Sequence, residues 1–184
     1  PRGSLTVRTL KISEGRVELD GRTVFSSDAG FDAFIREAFK SRGSANMKFY
    51  KMDSACKLAY VAAEWILDGI EFGEEECAVL MSGRFGSLDT DMNHQSIIDR
   101  DGDDYAAPSV FVYTLPNVAA AEISIRHHIK GENIWFSDTP MAELRHQAEL
   151  ASARESLKYC LVGRSDFING EYLAIFELLR FGEV

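Results

Sequence analysis

Residues 108–163, PSVFVYTLPNVAAAEISIRHHIKGENIWFSDTPMAELRHQAELASARESLKYCLVG, carry the pattern that decides the fold. Asn117 to Ile129 is rich in alanine, follows Pro116 and stops at Lys130-Gly131, which predicts a helix capped by Asn117. Ile134-Trp135-Phe136 is a short continuous apolar run and predicts a buried strand over 133–137. Thr139-Pro140 then opens a second helix, with Thr at the cap and Pro at the first helical position, running to Ser156. Tyr159 to Gly163 is another apolar run and another strand. Strands that are apolar throughout, separated by helices, predict parallel pairing with both sheet faces covered.

The same grammar extends outward. Met52, Cys56, Ala59, Ala63, Ile66 and Ile70 follow a 3.6-residue period, so 53–70 reads as a helix capped by Asp53 or Ser54. Glu71 to Glu76 is an acidic turn, and Cys77 to Met81 is a strand covered on both faces. Residues 83–107 are polar and irregular, a loop long enough to suggest function. Toward the N-terminus, Leu5 to Ile12 is a strand, Asp20-Gly21 joins Arg16–Leu19 to Thr23–Phe25 as a hairpin, and Phe31 to Lys40 is a helix. Glu171 to Phe181 is a long last strand, with Tyr172, Ala174, Phe176 and Leu178 on one face. The expected architecture is α/β, a mostly parallel mixed sheet with helices packed on its faces. Pro1-Arg2-Gly3-Ser4 reads as a tag remnant, and residues 5–184 as one domain.

Charge narrows the function. The chain has 184 residues, with 20 Lys and Arg against 29 Asp and Glu, a net charge of −9. That balance argues against nucleic acid and against an anionic membrane as partner. No apolar run reaches the length of a spanning helix and no secretory signal is visible, and three scattered cysteines do not make a disulfide framework. A cytoplasmic location is the expectation.

Four local patterns suggest chemistry and fail on inspection. Gly83-Arg84-Phe85-Gly86 follows a strand but lacks the full glycine pattern of a phosphate loop. Asp89, Asp91 and Asn93 mimic a calcium loop, yet His94 stands at the glycine position and Arg100 at the bidentate glutamate position. His127 and His128 are adjacent on a helix and point apart, which favours a helix-end role. Cys56 lies on an apolar stripe, and Cys77 and Cys160 lie in strands. No metal site and no cofactor is expected.

Taken in order, several segments resemble β-ketoacyl-ACP synthases. These are Lys51-Met52-Asp53 opening an alanine-rich helix, Ala78 to Gly83 followed by Gly86 to Asp91, Pro108 to Asn117 before a second alanine-rich helix, Ile129-Lys130-Gly131, and Leu161-Val162-Gly163. The resemblance spans residues 45–166 and implies a thiolase-like half-fold. In that family the nucleophilic cysteine opens the helix after the strand that follows Lys-Gly, where unpaired N–H groups favour thiolate. Here that place falls near Thr139 and Pro140, with no cysteine. The family's two catalytic histidines belong to a second half that the resemblance does not reach.

The resemblance therefore implies a non-catalytic ketosynthase-like subunit or scaffold in acyl-carrier-protein-dependent synthesis of fatty acids, polyenes or polyketides. Chain-length-factor subunits are the analogy. Expected partners are a second copy of the chain or a full-length ketosynthase-like chain, with acyl carrier protein as a further one. The expected interface includes Asn117, Trp135 and Phe136, because the family pairs this strand across a dimer axis. Two alternatives stay open: an acyl-thioester hydrolase using Ser137, Asp138 or Thr139, and an acyl- or pantetheine-binding module. A free-standing half is also expected to leave apolar sheet and helix faces exposed.

Overall fold

Three tight turns set the register of the sheet. Glu14-Gly15, Asp20-Gly21 and Asn169-Gly170 each place two successive residues at positive φ, between 47° and 82°. That is the requirement of the two-residue turn whose twist matches paired strands. In the computed structural model, which describes residues 3–101 and 108–182, these turns join β1 (Ser4–Ser13) to β2 (Arg16–Leu19), β2 to β3 (Arg22–Ser26), and β6 (Tyr159–Ile168) to β7 (Glu171–Phe181). Ser4, set aside above as part of a tag remnant, is the first residue of β1 and pairs with Phe181.

The remaining strands, β4 (Cys77–Gly83) and β5 (Asn133–Ser137), complete one seven-stranded sheet in the order β3-β2-β1-β7-β6-β4-β5. The fold class is the expected α/β mixed sheet with helices packed on it. Its parallel part is smaller than expected: only β6-β4 and β4-β5 are parallel, and the other pairings are antiparallel. The hairpin turns explain three of the four antiparallel pairings, β1-β2, β2-β3 and β6-β7; the fourth, β1-β7, brings the first and last strands together.

Helices α1 (Phe31–Ser41), α2 (Ser54–Ile66) and α5 (Val118–His127) cover one face, and α6 (Met141–Arg154) covers the other. Strands β4 and β6 lie between the layers, and this is why their apolar runs do not alternate. Gly163 on β6 makes room for Phe176 of β7: a Cβ there would sit 2.4 Å from the ring.

Four further expectations need correction. Residues 88–101 are not loop but helix α3 (Leu88–Asp101), followed by α4 (Pro108–Val112). Apolar residues are sparse on α3 and lie where solvent reaches them, so the periodicity test had no buried face to detect. The remainder of the expected loop, with Asp103 and Asp104, lies outside the described residues. Helix α2 stops at Ile66, before the Gly69 turn. Asn117 is the N-cap of α5 but makes no side-chain cap bond. Finally, Pro140, not Thr139, is the N-cap of α6, because its extended ψ of 156° ends the turn one residue later than the Thr-Pro rule places it.

One buried charge fastens the helical layer. Glu64 on α2 is 7% exposed and receives Arg126 Nε at 3.0 Å, with His127 Nε2 at 3.0 Å and the Ser44 hydroxyl against its other side. Burial alone would push its pKa up, but the contacts from His127, Arg126 and Ser44 outweigh that and hold it at about 2. His127 thus takes the expected helix-end position, and His128 is the left-handed C-cap. No helix among the described residues is long and apolar enough to cross a membrane.

Candidate functional site

Strands β4, β5 and β6 run parallel, and β4 and β5 end level at Gly83 and Ser137 while β6 runs on past that edge to Ile168; such an edge is where open α/β sheets put their functional groups. The turn from β5 into α6 occupies this edge. Asp138 adopts a left-handed φ of 43°, a conformation that suits a sharp strand-to-helix turn. Its N–H donates to the Gly83 carbonyl at 3.0 Å, and the Thr139 N–H donates to Ser82 Oγ at 2.7 Å. Arg164 of β6 closes the turn from below, donating to the Asp138 carboxylate at 2.8 Å and to the Thr139 carbonyl at 2.9 Å. The Thr139 hydroxyl donates to the Ser137 carbonyl at 3.2 Å. His146 is exposed on the outer side of α6. Among the described residues, no histidine is bonded to Ser137, Asp138 or Thr139, and the Asp138 carboxylate is paired with Arg164.

The three thiols are elsewhere and inert. Cys56 lies on α2 and Cys77 and Cys160 lie in strands, all buried. Burial pushes the Cys77 pKa up to about 12 and those of Cys56 and Cys160 well above the ordinary thiol value. Each therefore stays a thiol near neutral pH. No group of three or more His, Cys, Asp or Glu among the described residues is placed to hold a metal ion.

On the α2 and α5 side of the same edge lies a narrow cleft. Met81, Trp135 and Ser165 reach it from β4, β5 and β6, Asp53 and Cys56 from the start of α2, and Tyr113 from the chain after α4. Asp53 caps α2 by accepting from the Cys56 N–H at 2.8 Å and also accepts from the Thr90 hydroxyl. Desolvation raises its pKa in spite of those two bonds. Burial likewise pushes Tyr113 up to about 12.

Two surfaces frame the cleft. Leu88 and Met92 of α3, Phe111 and Val112 of α4, and Leu115 are between 43% and 57% exposed, an apolar patch larger than scattered single residues. Beside it, β5 is the last strand of the sheet and pairs on one side only. Of the three expected interface residues, Asn117 is exposed at the start of α5, while Trp135 and Phe136 are half-buried on opposite faces of β5. The α6 side differs from expectation. Its outward residues Glu143, His146 and Arg154 are exposed and polar, with Leu150 at 39% the one exposed large apolar side chain of that helix. Arg145 also holds Glu177 of the sheet by two bonds of 2.7 and 2.6 Å. That face is wetted because charge has replaced apolar surface there.

No protein-family model and no curated protein matches the chain. Solved structures do. The ishigamide ketosynthase/chain length factor superposes with a TM-score of 0.70 at 15% identity, over 98% of this chain and 63% of that one. The fold is thiolase-like, that of the ketosynthases. A ketosynthase (ApeO) in complex with its chain length factor (ApeC) from Xenorhabdus doucetiae gives 0.63 at 13% identity, over 97% of this chain and 79% of that one. A β-ketoacyl synthase from Burkholderia phymatum gives 0.63 at 11%, over 99% and 60%. The ketosynthase-like chain thus spans less than two thirds of the first and last of these relatives.

Sequence reasoning missed three features. Arg164 and Ser165 lie just past the strand expected over Tyr159 to Gly163, which in the structure continues to Ile168. Of the exposed apolar residues around α3 and α4, Leu88 and Met92 fall in the expected loop, while Phe111, Val112 and Leu115 fall in the Pro108 to Asn117 segment, for which no helix was expected. Residues 36–57 hold six basic and two acidic residues in a chain of net charge −9, a signal that a windowed charge count finds. In the structure Lys40 and Lys51 are exposed, Lys48 is 62% exposed beside Glu122, and Lys57 lies over the Phe49 ring.

Proposed function

We propose that this chain is a non-catalytic ketosynthase-like subunit that assembles with a ketosynthase-like chain and serves acyl-carrier-protein-dependent synthesis of fatty acids, polyenes or polyketides. The observation that carries the reading is the β5–α6 turn. In the family this turn presents the reactive sulfur; here it presents Asp138, Thr139 and Pro140, held shut by Arg164. The one-sided edge of β5 and the adjoining apolar patch supply a surface for a partner strand and helix. The wetted α6 face directs that partner to the β5 side. The basic segment around the 3-10 helix Met47–Lys51 suits the acidic surface of a carrier protein.

Against the hydrolase alternative, no histidine among the described residues is bonded to Ser137, Asp138 or Thr139, and Arg164 engages the Asp138 carboxylate. Co-expression with a full-length ketosynthase from the same genome, followed by affinity capture and light scattering, tests the reading. An equimolar complex is expected, lost on Leu115→Asp, with no condensation of acyl and malonyl thioesters by the isolated chain. Condensation by the isolated chain, or a monomer that ignores the ketosynthase, would overturn it.

A further inference from the structure

We propose that Asn169 is a self-modification site: its side-chain amide is lost as ammonia to the backbone nitrogen of Gly170, and the turn between β6 and β7 becomes a mixture of aspartate and isoaspartate. The site stands apart from the partner reading, since it uses neither the β5 edge nor the β5–α6 turn. In the reaction the Gly170 nitrogen attacks Asn169 Cγ. The new N–Cγ bond closes a succinimide ring, the Cγ–Nδ2 bond breaks, and ammonia leaves with the proton that the Gly170 nitrogen gives up. Water then adds to one of the two ring carbonyls. Opening at Cγ leaves aspartate in an unaltered backbone. Opening at the Asn169 carbonyl carbon leaves isoaspartate, in which the main chain runs through Cγ and is one carbon longer. Nothing is oxidised or reduced, and water is the only co-reactant.

Three features single out this residue. The nucleophile is a backbone nitrogen, so a side chain on the following residue crowds the attack. Of the five asparagines, Asn169 alone precedes a glycine; the others precede Met47, His94, Val118 and Ile134. The attacking nitrogen is also free. The Gly170 N–H gives no hydrogen bond to a described residue, and a Cβ at Gly170 would meet nothing within 4 Å, so its peptide plane can turn toward the side chain without striking a neighbour. Finally, Asn169 is exposed, and its side-chain amide makes no hydrogen bond to a described residue; its backbone N–H alone is engaged. Comparable groups are tied down. Asp20 precedes Gly21, but its carboxylate accepts from the Thr9 N–H at 2.8 Å. Glu14 precedes Gly15, but its longer side chain would have to close a larger ring. The amides of Asn46, Asn93 and Asn133 donate to Tyr60, Asp89 and the Ala120 carbonyl.

Position in the fold sets the consequence. The turn fixes the register of β6 against β7, beginning with Ile168 opposite Glu171. The Asn169 N–H donates to the Asp89 carboxylate at 2.9 Å and so ties this turn to the first turn of α3. A two-residue turn owes its fit to a particular pair of backbone conformations, and the extra main-chain carbon of isoaspartate destroys that fit. Both products also place a new carboxylate near that of Asp89, and like charges repel.

The test ages the full chain at mildly alkaline pH, samples it over days and digests it with trypsin. Cleavage after Arg164 and Arg180 releases residues 165–180, which contain Asn169 and no other asparagine or glutamine. Mass spectrometry follows the exchange of amide for acid, and electron-transfer fragmentation separates aspartate from isoaspartate. This peptide should convert before those carrying the other asparagines. Its rate in the folded chain should lie within about ten-fold of that of the same residues as a free synthetic peptide, because a hairpin tip opens locally at little cost. Asn169→Gln should keep its mass over the same time, since its longer side chain must close the larger ring. Anion exchange isolates the products by their added charge. The isoaspartate fraction should melt below the parent, whereas Asn169→Asp, with its normal backbone, should melt close to it. No conversion of residues 165–180 in the folded chain while the free peptide converts would overturn the proposal, as would earlier conversion at another asparagine. An isoaspartate fraction that melts with the parent would overturn the stated consequence for the turn.

Discussion

Replacing Glu64 tests whether one buried carboxylate ties the helical layer together. Its folded pKa of about 2, against an ordinary 4.5, corresponds to about 3 kcal/mol at 1.36 kcal/mol per pH unit. Because Arg126 is 40% exposed and water screens it, that figure is an upper value. The sign follows from a depressed pKa. The stabilisation is complete above pH 4.5 and drains away as pH falls toward 2, where Glu64 protonates in the folded chain too. Glu64→Gln keeps the shape and removes the charge. At pH 7 it should lose up to about 3 kcal/mol, or about 6–12 °C in melting temperature for a chain this size. Near pH 2 variant and parent should converge. Urea denaturation at a series of pH values between 2 and 7, followed by circular dichroism, measures this directly. A constant offset between the two proteins across the whole range would refute the reasoning, because it would mean that Glu64 acts by shape or packing and not by charge.

Two other outcomes are expected. Gly163→Ala drives a methyl into the buried Phe176 ring and should cost about 1–3 kcal/mol in urea denaturation, partly restored by Phe176→Leu in the same chain. Lys48→Glu with Lys51→Glu should weaken carrier-protein binding about ten-fold and flatten its dependence on salt, measured by titration at two ionic strengths; unchanged binding would remove the basic segment from the proposed function.

Most elements were legible because their signals are local. Asp20-Gly21 announces its hairpin because Asp and Gly readily adopt the positive φ that such a turn needs. Asp53 announces the start of α2, and its side chain does accept from the Cys56 N–H. The continuous apolar runs at Cys77 and Tyr159 announce strands covered twice. Helix α3 was illegible for the opposite reason: its apolar side chains Leu88 and Met92 face outward, so no buried stripe marks it. The cleft was illegible because its lining comes from α2, three strands and the approach to α5, segments that share no sequence neighbourhood.

The chain's own order of residues determined the strands, the tight turns, the buried thiols and the lack of a cysteine at the β5–α6 turn, since each depends on neighbours within a few positions. Tertiary structure alone decided the rest. Antiparallel β7 and β1 outnumber the parallel core because pairing is settled by which strands meet. Arg164 closes on Asp138 because β6 runs beside β4, Ser165 Oγ has no hydrogen-bond partner among the described residues, and Arg145 of α6 meets Glu177 of the sheet. Long-range juxtaposition fixes these features, and a linear pattern carries no record of distance in space.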